Sequence, residues 1–220
     1  MTDPEDGVPR LTREQSKART RAALIKAARS LFLCKGYQST SLEQVAEEAA
    51  FSKGAVYSNF RGKEELCLAV LDDINRRELG ELLALLNADA DFETALAGLE
   101  SWAERVLGSE SWTVLGVDAI AAAHTSPNLR AQLARRDEAL VGLLAGVLRR
   151  LVEAGRVTLA GAPEEVAVIL IGTAIGLGLQ RAINPELRPG LLIQATRALI
   201  HPVERARTAV GQSEASAGGA

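Results

Sequence analysis

Chemistry is concentrated in one short stretch of the chain. Lys53-Gly54-Ala55-Val56-Tyr57-Ser58-Asn59, followed by Lys63, places cationic, phenolic, hydroxyl and amide donors within about three helical turns. Lys53 can reach a phosphate or the O6/N7 edge of a guanine, and Tyr57 offers a long flat side chain with a hydroxyl donor for phosphate. Gly54 and Ala55 lack bulk, so the backbone can approach a groove floor closely. Ala55 can touch only a thymine methyl or test a base sterically. Ser58 and Asn59 add short polar donors. Lys63 aims a cation at the backbone beside the N–H groups of the helix it opens. Thr40 and Ser41 can do the same from the preceding cap. Donors of this kind suit a polyanion read through its grooves.

Other chemistries lack their parts. His124 and His201 are the two histidines, far apart and without a nucleophile–base or acid–base motif, so the chain is not expected to be an enzyme. Cys34 and Cys67 with two distant histidines form no metal-ligand cluster, and no cofactor motif occurs, so neither metal nor cofactor is expected. The two thiols, without an export signal, are expected to be free in a reducing cytoplasm, buried and inert. Trp102, Trp112, Asp118 and His124 are the large or polar groups of otherwise aliphatic middle helices. They could line an effector cavity, although a tryptophan in such a helix is more often core.

Charge separates the chain into parts. Residues 1–9 hold three acids and no base, residues 10–63 hold eleven Lys or Arg against four acids, and residues 64–220 hold fourteen Arg against twenty-one acids. A basic block ahead of an acidic remainder suits a first part that meets nucleic acid and a second with another task. Hydrophobic residues at 47% describe an ordinary soluble globular chain. Aromatics at 4% leave Leu, Ala, Val and Ile to build the core, which favours helices.

Hydrophobic periodicity supplies the elements that would position these groups. Residues 1–12 read as a flexible arm. Arg13–Lys35 reads as a helix lined by Ala18, Ala22, Ile25, Ala28, Leu31 and Phe32, with Gly36 as its stop. Thr40-Ser41-Leu42-Glu43 fits a capping box, with Glu43 reaching back, and opens a two-turn helix to Ala49 with Leu42, Val45, Ala46 and Ala49 turned inward. Ser52 caps a helix over Lys53–Phe60, with Phe60 expected to pack on Leu66 and Phe32, and Lys63–Leu86 forms a long helix. Two short helices joined by about three residues are a helix-turn-helix. Further helices are expected over Asp91–Leu107, Ser111–Ala123, Pro127 to near Gly155, Pro163 to Ile183, and Pro189 to Ile200. The apolar run Val166–Leu179 spans 14 residues, short of the roughly 18 that cross a bilayer, and reads as a buried helix. No strand-period segment is visible, and residues 204–220 read as a disordered tail.

Residues 40–66, TSLEQVAEEAAFSKGAVYSNFRGKEEL, together with Arg21, Ile25, Ala28, Phe32 and the Gly36-Tyr37 helix end, strongly resemble the DNA-binding segment of the TetR family of bacterial repressors. One departure is Ala50, where the family has a glycine in the turn; if that site is left-handed, alanine costs about 1 kcal/mol. The resemblance implies an all-α chain. A helix-turn-helix domain would span 13–62, and a helical effector-binding and dimerisation domain 63–203. It further implies DNA-facing positions at Thr40, Ser41, Lys53, Gly54, Ala55, Tyr57, Ser58, Asn59 and Lys63. In the family the last two helices form the dimer's four-helix interface, and the helix here that looks like the penultimate one carries Gly172, Gly176 and Leu179 and ends at Asn184-Pro185. Its partners would be double-stranded palindromic operator DNA, a second copy of itself and a small apolar effector, with no membrane. A ligand-independent regulator or activator of the same fold is an alternative. A helical adaptor that uses the helix-turn-helix for protein contacts is another.

Overall fold

The computed structural model describes residues 12–87, 90–109 and 113–203; residues 1–11 of the expected 1–12 arm, the expected tail and Trp112 lie outside them. The described residues form α1 (Arg13–Lys35), α2 (Leu42–Glu48), α3 (Lys53–Asn59), α4 (Lys63–Asn87), α5 (Phe92–Val106), α6 (Leu115–Ala123), α7 (Pro127–Glu153), α8 (Pro163–Ile183) and α9 (Gly190–Leu199). Two three-residue strands, β1 (Val157–Leu159) and β2 (Ile200–Pro202), pair antiparallel, with Thr158 opposite His201. The fold is therefore mostly helical, but the sequence-based expectation of no strand at all is corrected by this ladder. Three residues are too few to show an alternating pattern, and their partner lies far along the chain.

Local chemistry sets the helix ends. Thr12 caps α1 through Gln15, and Asp91 caps α5 through the Thr94 amide at 2.9 Å. Ser126 caps α7 ahead of Pro127, which accepts the first helical position because it lacks an N–H. The capping box of α2 lies one residue later than its sequence suggests. The Ser41 hydroxyl accepts from the Gln44 amide, while the Gln44 side chain accepts from the Ser41 amide. Glu43 plays no part in that exchange. The α1 face is rotated as well: Leu24, Ala27, Ala28, Leu31 and Phe32 are buried, whereas Ala18 and Ala22 are exposed.

Helix α2 ends in a Schellman motif. The Phe51 amide bonds to the Ala46 carbonyl at 2.9 Å and the Ala50 amide to the Glu47 carbonyl at 3.0 Å, which drives Ala50 to φ 56°. Helix α7 closes in the same way through Arg156 to Leu151 and Gly155 to Val152, both 2.9 Å, with Gly155 at φ 63°. One motif is thus filled by glycine and the other by alanine.

Three apolar clusters hold the chain together. The first gathers Leu24, Phe32, Val45, Val56, Phe60, Leu66 and Ile74 from α1–α4. It also takes Leu115 and Ala119 from α6 and Leu129 from α7, so the core of α1–α4 is continuous with helices of the second half. The second unites Trp102, Val106, Leu177 and Leu192. The third unites Leu148, Val157, Val166, Leu170 and Ile200, locking the ladder onto α7 and α8. Helix α8 is long and apolar enough to cross a bilayer, yet its inward residues Val166, Ala167, Leu170 and Ala174 pack inside the chain. It is not buried all round. Val168, Ile169, Gly172, Ile175, Leu179 and Ile183 form an exposed face.

Candidate nucleic-acid interface

Helix α3 is held from behind and open in front. Val56 and Phe60 sink into the first core at 0% and 1% exposure, and Phe60 shares that cluster with Leu66 and Phe32 as its sequence context predicts. Arg21 of α1 closes the far end: its guanidinium lies 4.1 Å above the Phe60 ring and donates to the Asn59 carbonyl at 2.6 Å. A cation at a helix C-terminus satisfies an orphan carbonyl and opposes the helix dipole. At the other end the Ser52 hydroxyl accepts from the Ala55 amide at 3.2 Å. Sequence reasoning counted Arg21 in the basic block and among the residues that carry the resemblance, without assigning it a contact. Its spacing from α3 gives no signal, because the contact joins residues 38 positions apart.

The front of α3 carries the predicted donors. Tyr57 is 56% exposed, and Lys53, Gly54 and Ser58 are exposed beside it. The Ser58 hydroxyl donates to the Ala55 carbonyl at 3.0 Å, and the Asn59 amide to the same carbonyl at 2.8 Å. The Asn59 Oδ1 is buried without a hydrogen-bond partner. The Lys53 ammonium pairs with Glu43 of α2 at 3.7 Å, both side chains being solvent-exposed. The Glu43 carboxyl is held below its ordinary range, first by its own backbone N–H, next by the Ser41 hydroxyl, with Lys53 adding to both.

The turn between α1 and α2 is built around Tyr37. Its ring meets Phe32 edge-on at 5.4 Å, and the Lys63 ammonium stands 4.5 Å above it while donating to the Gln38 carbonyl at 2.9 Å. Burial pushes the Tyr37 phenol up to about 12, with Cys67 and Glu64 adding to the rise, and burial lowers the Lys63 ammonium. Thr40 faces inward at 2% exposure. Its hydroxyl donates towards the Leu31 and Gly36 carbonyls at 3.3 and 3.0 Å, so it closes the turn and presents no outward donor. Ser41 is half-buried and occupied as the α2 cap.

Of the four residues expected at an effector site, Trp112 lies outside the described residues, and Trp102, Asp118 and His124 do not come together. Trp102 lines an apolar cavity of about 120 Å³ with residues of α4, α5, α7, α8, α9 and β2. Asp118 lies instead against the α1–α2 turn, where its carboxylate accepts from the Tyr37 amide at 3.1 Å. His124 sits at the C-terminus of α6, its carbonyl accepting from Arg130. An acid within the aliphatic segment Leu115–Ala123 signals a satisfied partner, but the partner is 81 residues away. Cys34 is exposed, against the expectation of two buried thiols, while Cys67 is buried. Burial pushes the Cys67 thiol up to about 12.

Comparison with known proteins decides what this arrangement is. Residues 24–70 match the family described as bacterial regulatory proteins, tetR family, and residues 92–203 match the C-terminal domain of BetI-type transcriptional repressors. The chain belongs to the TetR family. This is a family of transcriptional regulators and not of enzymes. Among curated relatives, the HTH-type transcriptional repressor NicS of Pseudomonas putida is 33% identical over 147 residues, covering 66% of each chain. The first such relatives are matched over 45% to 66% of their own length. A TetR-family regulator from a Rhodococcus species superposes with a TM-score of 0.72 at 21% identity, covering 83% of this chain and 98% of that one. The SmeT–triclosan complex superposes with a TM-score of 0.65 at 20% identity, covering 89% and 96%. These last two likenesses show the fold.

Proposed function

We propose that this TetR-family chain is a cytoplasmic homodimeric repressor, released from a palindromic operator by a small apolar effector. The observation that carries this reading is an exposed recognition face on α3 in the same chain as an apolar cavity among the helices that follow. The family relationship supports DNA as the partner of α3. Lys53, Gly54, Ala55, Tyr57, Ser58 and Asn59 would face the groove, with Ser41 and Lys63 at the phosphates. Residues 13–62 would act as the DNA-binding unit and 63–203 as the sensing and pairing unit. NicS is itself a repressor, and the SmeT structure holds triclosan, which supports both repression and a small ligand.

Pairing is supported by the outer face of α8. A Cβ added at Gly172 or Gly176 would meet nothing within 4 Å, so no neighbour among the described residues requires these glycines. Each lowers helix propensity by about 1 kcal/mol. Close approach by a second copy accounts for them, with Leu179 exposed on the same helix. Two-fold pairing would set the recognition helices about 34–36 Å apart, one turn of DNA.

Selection of fragmented genomic DNA at about 150 mM salt, where non-specific binding is weak, tests the reading. Enrichment of one inverted repeat is the expected result, and equal recovery of all fragments overturns it. Sedimentation of the full chain at low micromolar concentration should give a dimer, and a persistent 23.3 kDa monomer overturns the pairing.

A further inference from the structure

Resting on the effector-cavity reading above, we propose that the cavity takes an uncharged hydrocarbon of about one aromatic ring. The cavity wall carries this inference. Leu99, Leu144, Leu148, Leu170 and Ala174 typify it, and among the described lining residues only Trp102 and Thr196 carry a polar side-chain atom. Both are occupied. The Trp102 indole N–H donates to the Glu78 carbonyl at 2.8 Å, and the Thr196 hydroxyl donates to the Leu192 carbonyl at 2.8 Å. A polar ligand would leave water for a wall whose polar side-chain offer is the acceptor oxygen of Thr196 alone, with no free donor, and its unpaired groups would weaken binding. A cation is excluded more strongly. The described wall holds no carboxylate, and one indole does not make the several ring faces that hold a quaternary ammonium.

Size follows from volume. A cavity of about 150 Å³ lined by aliphatic and aromatic side chains stays dry and admits benzene. The cavity here is about 120 Å³, and Leu143 on its rim is 47% exposed, which leaves a way in and room for a short alkyl arm. Toluene has the right dimensions. Phenol is nearly its isostere with a hydroxyl in place of the methyl, and tetramethylammonium is a compact cation.

The test is calorimetric titration of the full chain with these three probes. Toluene should bind once per chain, at least about tenfold more tightly than phenol, with no detectable heat from tetramethylammonium. Ala174→Phe fills the cavity and should weaken toluene by at least about tenfold. The probe series on the unaltered chain decides the matter if that variant folds poorly. Phenol or tetramethylammonium matching toluene, or toluene failing to bind, overturns the proposal. The same samples are scored for release of the selected operator. A polar compound that binds, releases DNA and is lost in Ala174→Phe would sink the hydrocarbon class and leave the effector cavity standing. Toluene bound with the stated preference while DNA stays bound would support the hydrocarbon class and sink the release reading.

Discussion

Replacing Ala50 by glycine should stabilise this protein, and replacing Gly155 by alanine should undo that gain. Both residues occupy the left-handed position of a Schellman motif, at φ 56° and 63°. Holding an L residue there costs about 1–2 kcal/mol. Glycine escapes that strain but loses more backbone freedom on folding, about 0.5–1 kcal/mol. The net gain at Ala50 is therefore about 1 kcal/mol per chain, and Ala50 is exposed, so its methyl takes little packing with it. A Cβ at Gly155 would meet nothing within 4 Å, so that exchange carries the backbone cost alone and should lose about as much. The assay is thermal unfolding followed by circular dichroism at one fixed chain concentration, because dimerisation would tie Tm to concentration. For a chain of this length 1 kcal/mol moves Tm by about 2–4 °C. Ala50→Gly should melt higher, Gly155→Ala lower, and the double variant near the starting value, since the sites end different helices. A Tm unchanged or lowered by Ala50→Gly would refute the reasoning.

Four further outcomes are expected. Tyr57→Ala should weaken operator binding by about tenfold in a gel-shift titration while leaving Tm almost unchanged, because its side chain is largely solvent-exposed. Glu43→Gln frees Lys53 from a solvent-exposed pair and should tighten DNA binding about two- to fivefold at low salt. Because the Glu43 carboxyl is held below its ordinary range, it stays charged as pH falls through ordinary carboxylate values. The gap between wild type and variant should therefore persist at pH 5 and close only in stronger acid; a gap already closed at pH 5 would contradict the assigned shift. Asp118→Ala removes the acceptor of the Tyr37 amide and should cost about 1–2 kcal/mol in urea unfolding. Asp118→Asn retains an accepting oxygen and should recover most of that loss, and equal damage from both would discount the hydrogen bond. Iodoacetamide at pH 8 should label Cys34 alone in the folded protein and both thiols in urea, since Cys67 has 0% exposure and a thiol pushed up to about 12. Labelling of folded Cys67 would show that its pocket opens.

Local signals carried most of the helix limits. Gly36, Ser52, Ser126-Pro127 and Asn184-Pro185 act through the backbone a few residues away, so the sequence displays them directly. The Ala50 departure is legible for the same reason, and its φ confirms a left-handed site. Contacts across the chain left no such trace. The Asp118 carboxylate, the Arg21 clamp on α3 and the cavity wall all depend on which helices meet, and periodicity within one helix is silent on that. Helix α8 misled in one respect. A continuous apolar run reads as a buried helix, but Val168, Ile175 and Ile183 are apolar on a face that none of the described residues covers.

The short ladder between residues 157 and 202 links the cavity to the backbone. Ile200 stands opposite Leu159 in that ladder and also lines the cavity, and the flanking amides of Ala160 and Val203 bond to the Leu199 and Arg156 carbonyls at 2.9 Å each. A guest that shifts Ile200 must therefore disturb hydrogen bonds that otherwise seal those amides against solvent. Their deuterium uptake becomes a gauge of occupancy: slower when a guest braces the seam, faster when it pries the seam apart. Helices α8 and α9 lie within the loop the seam closes, so the outward apolar face of α8 is anchored to the same few bonds.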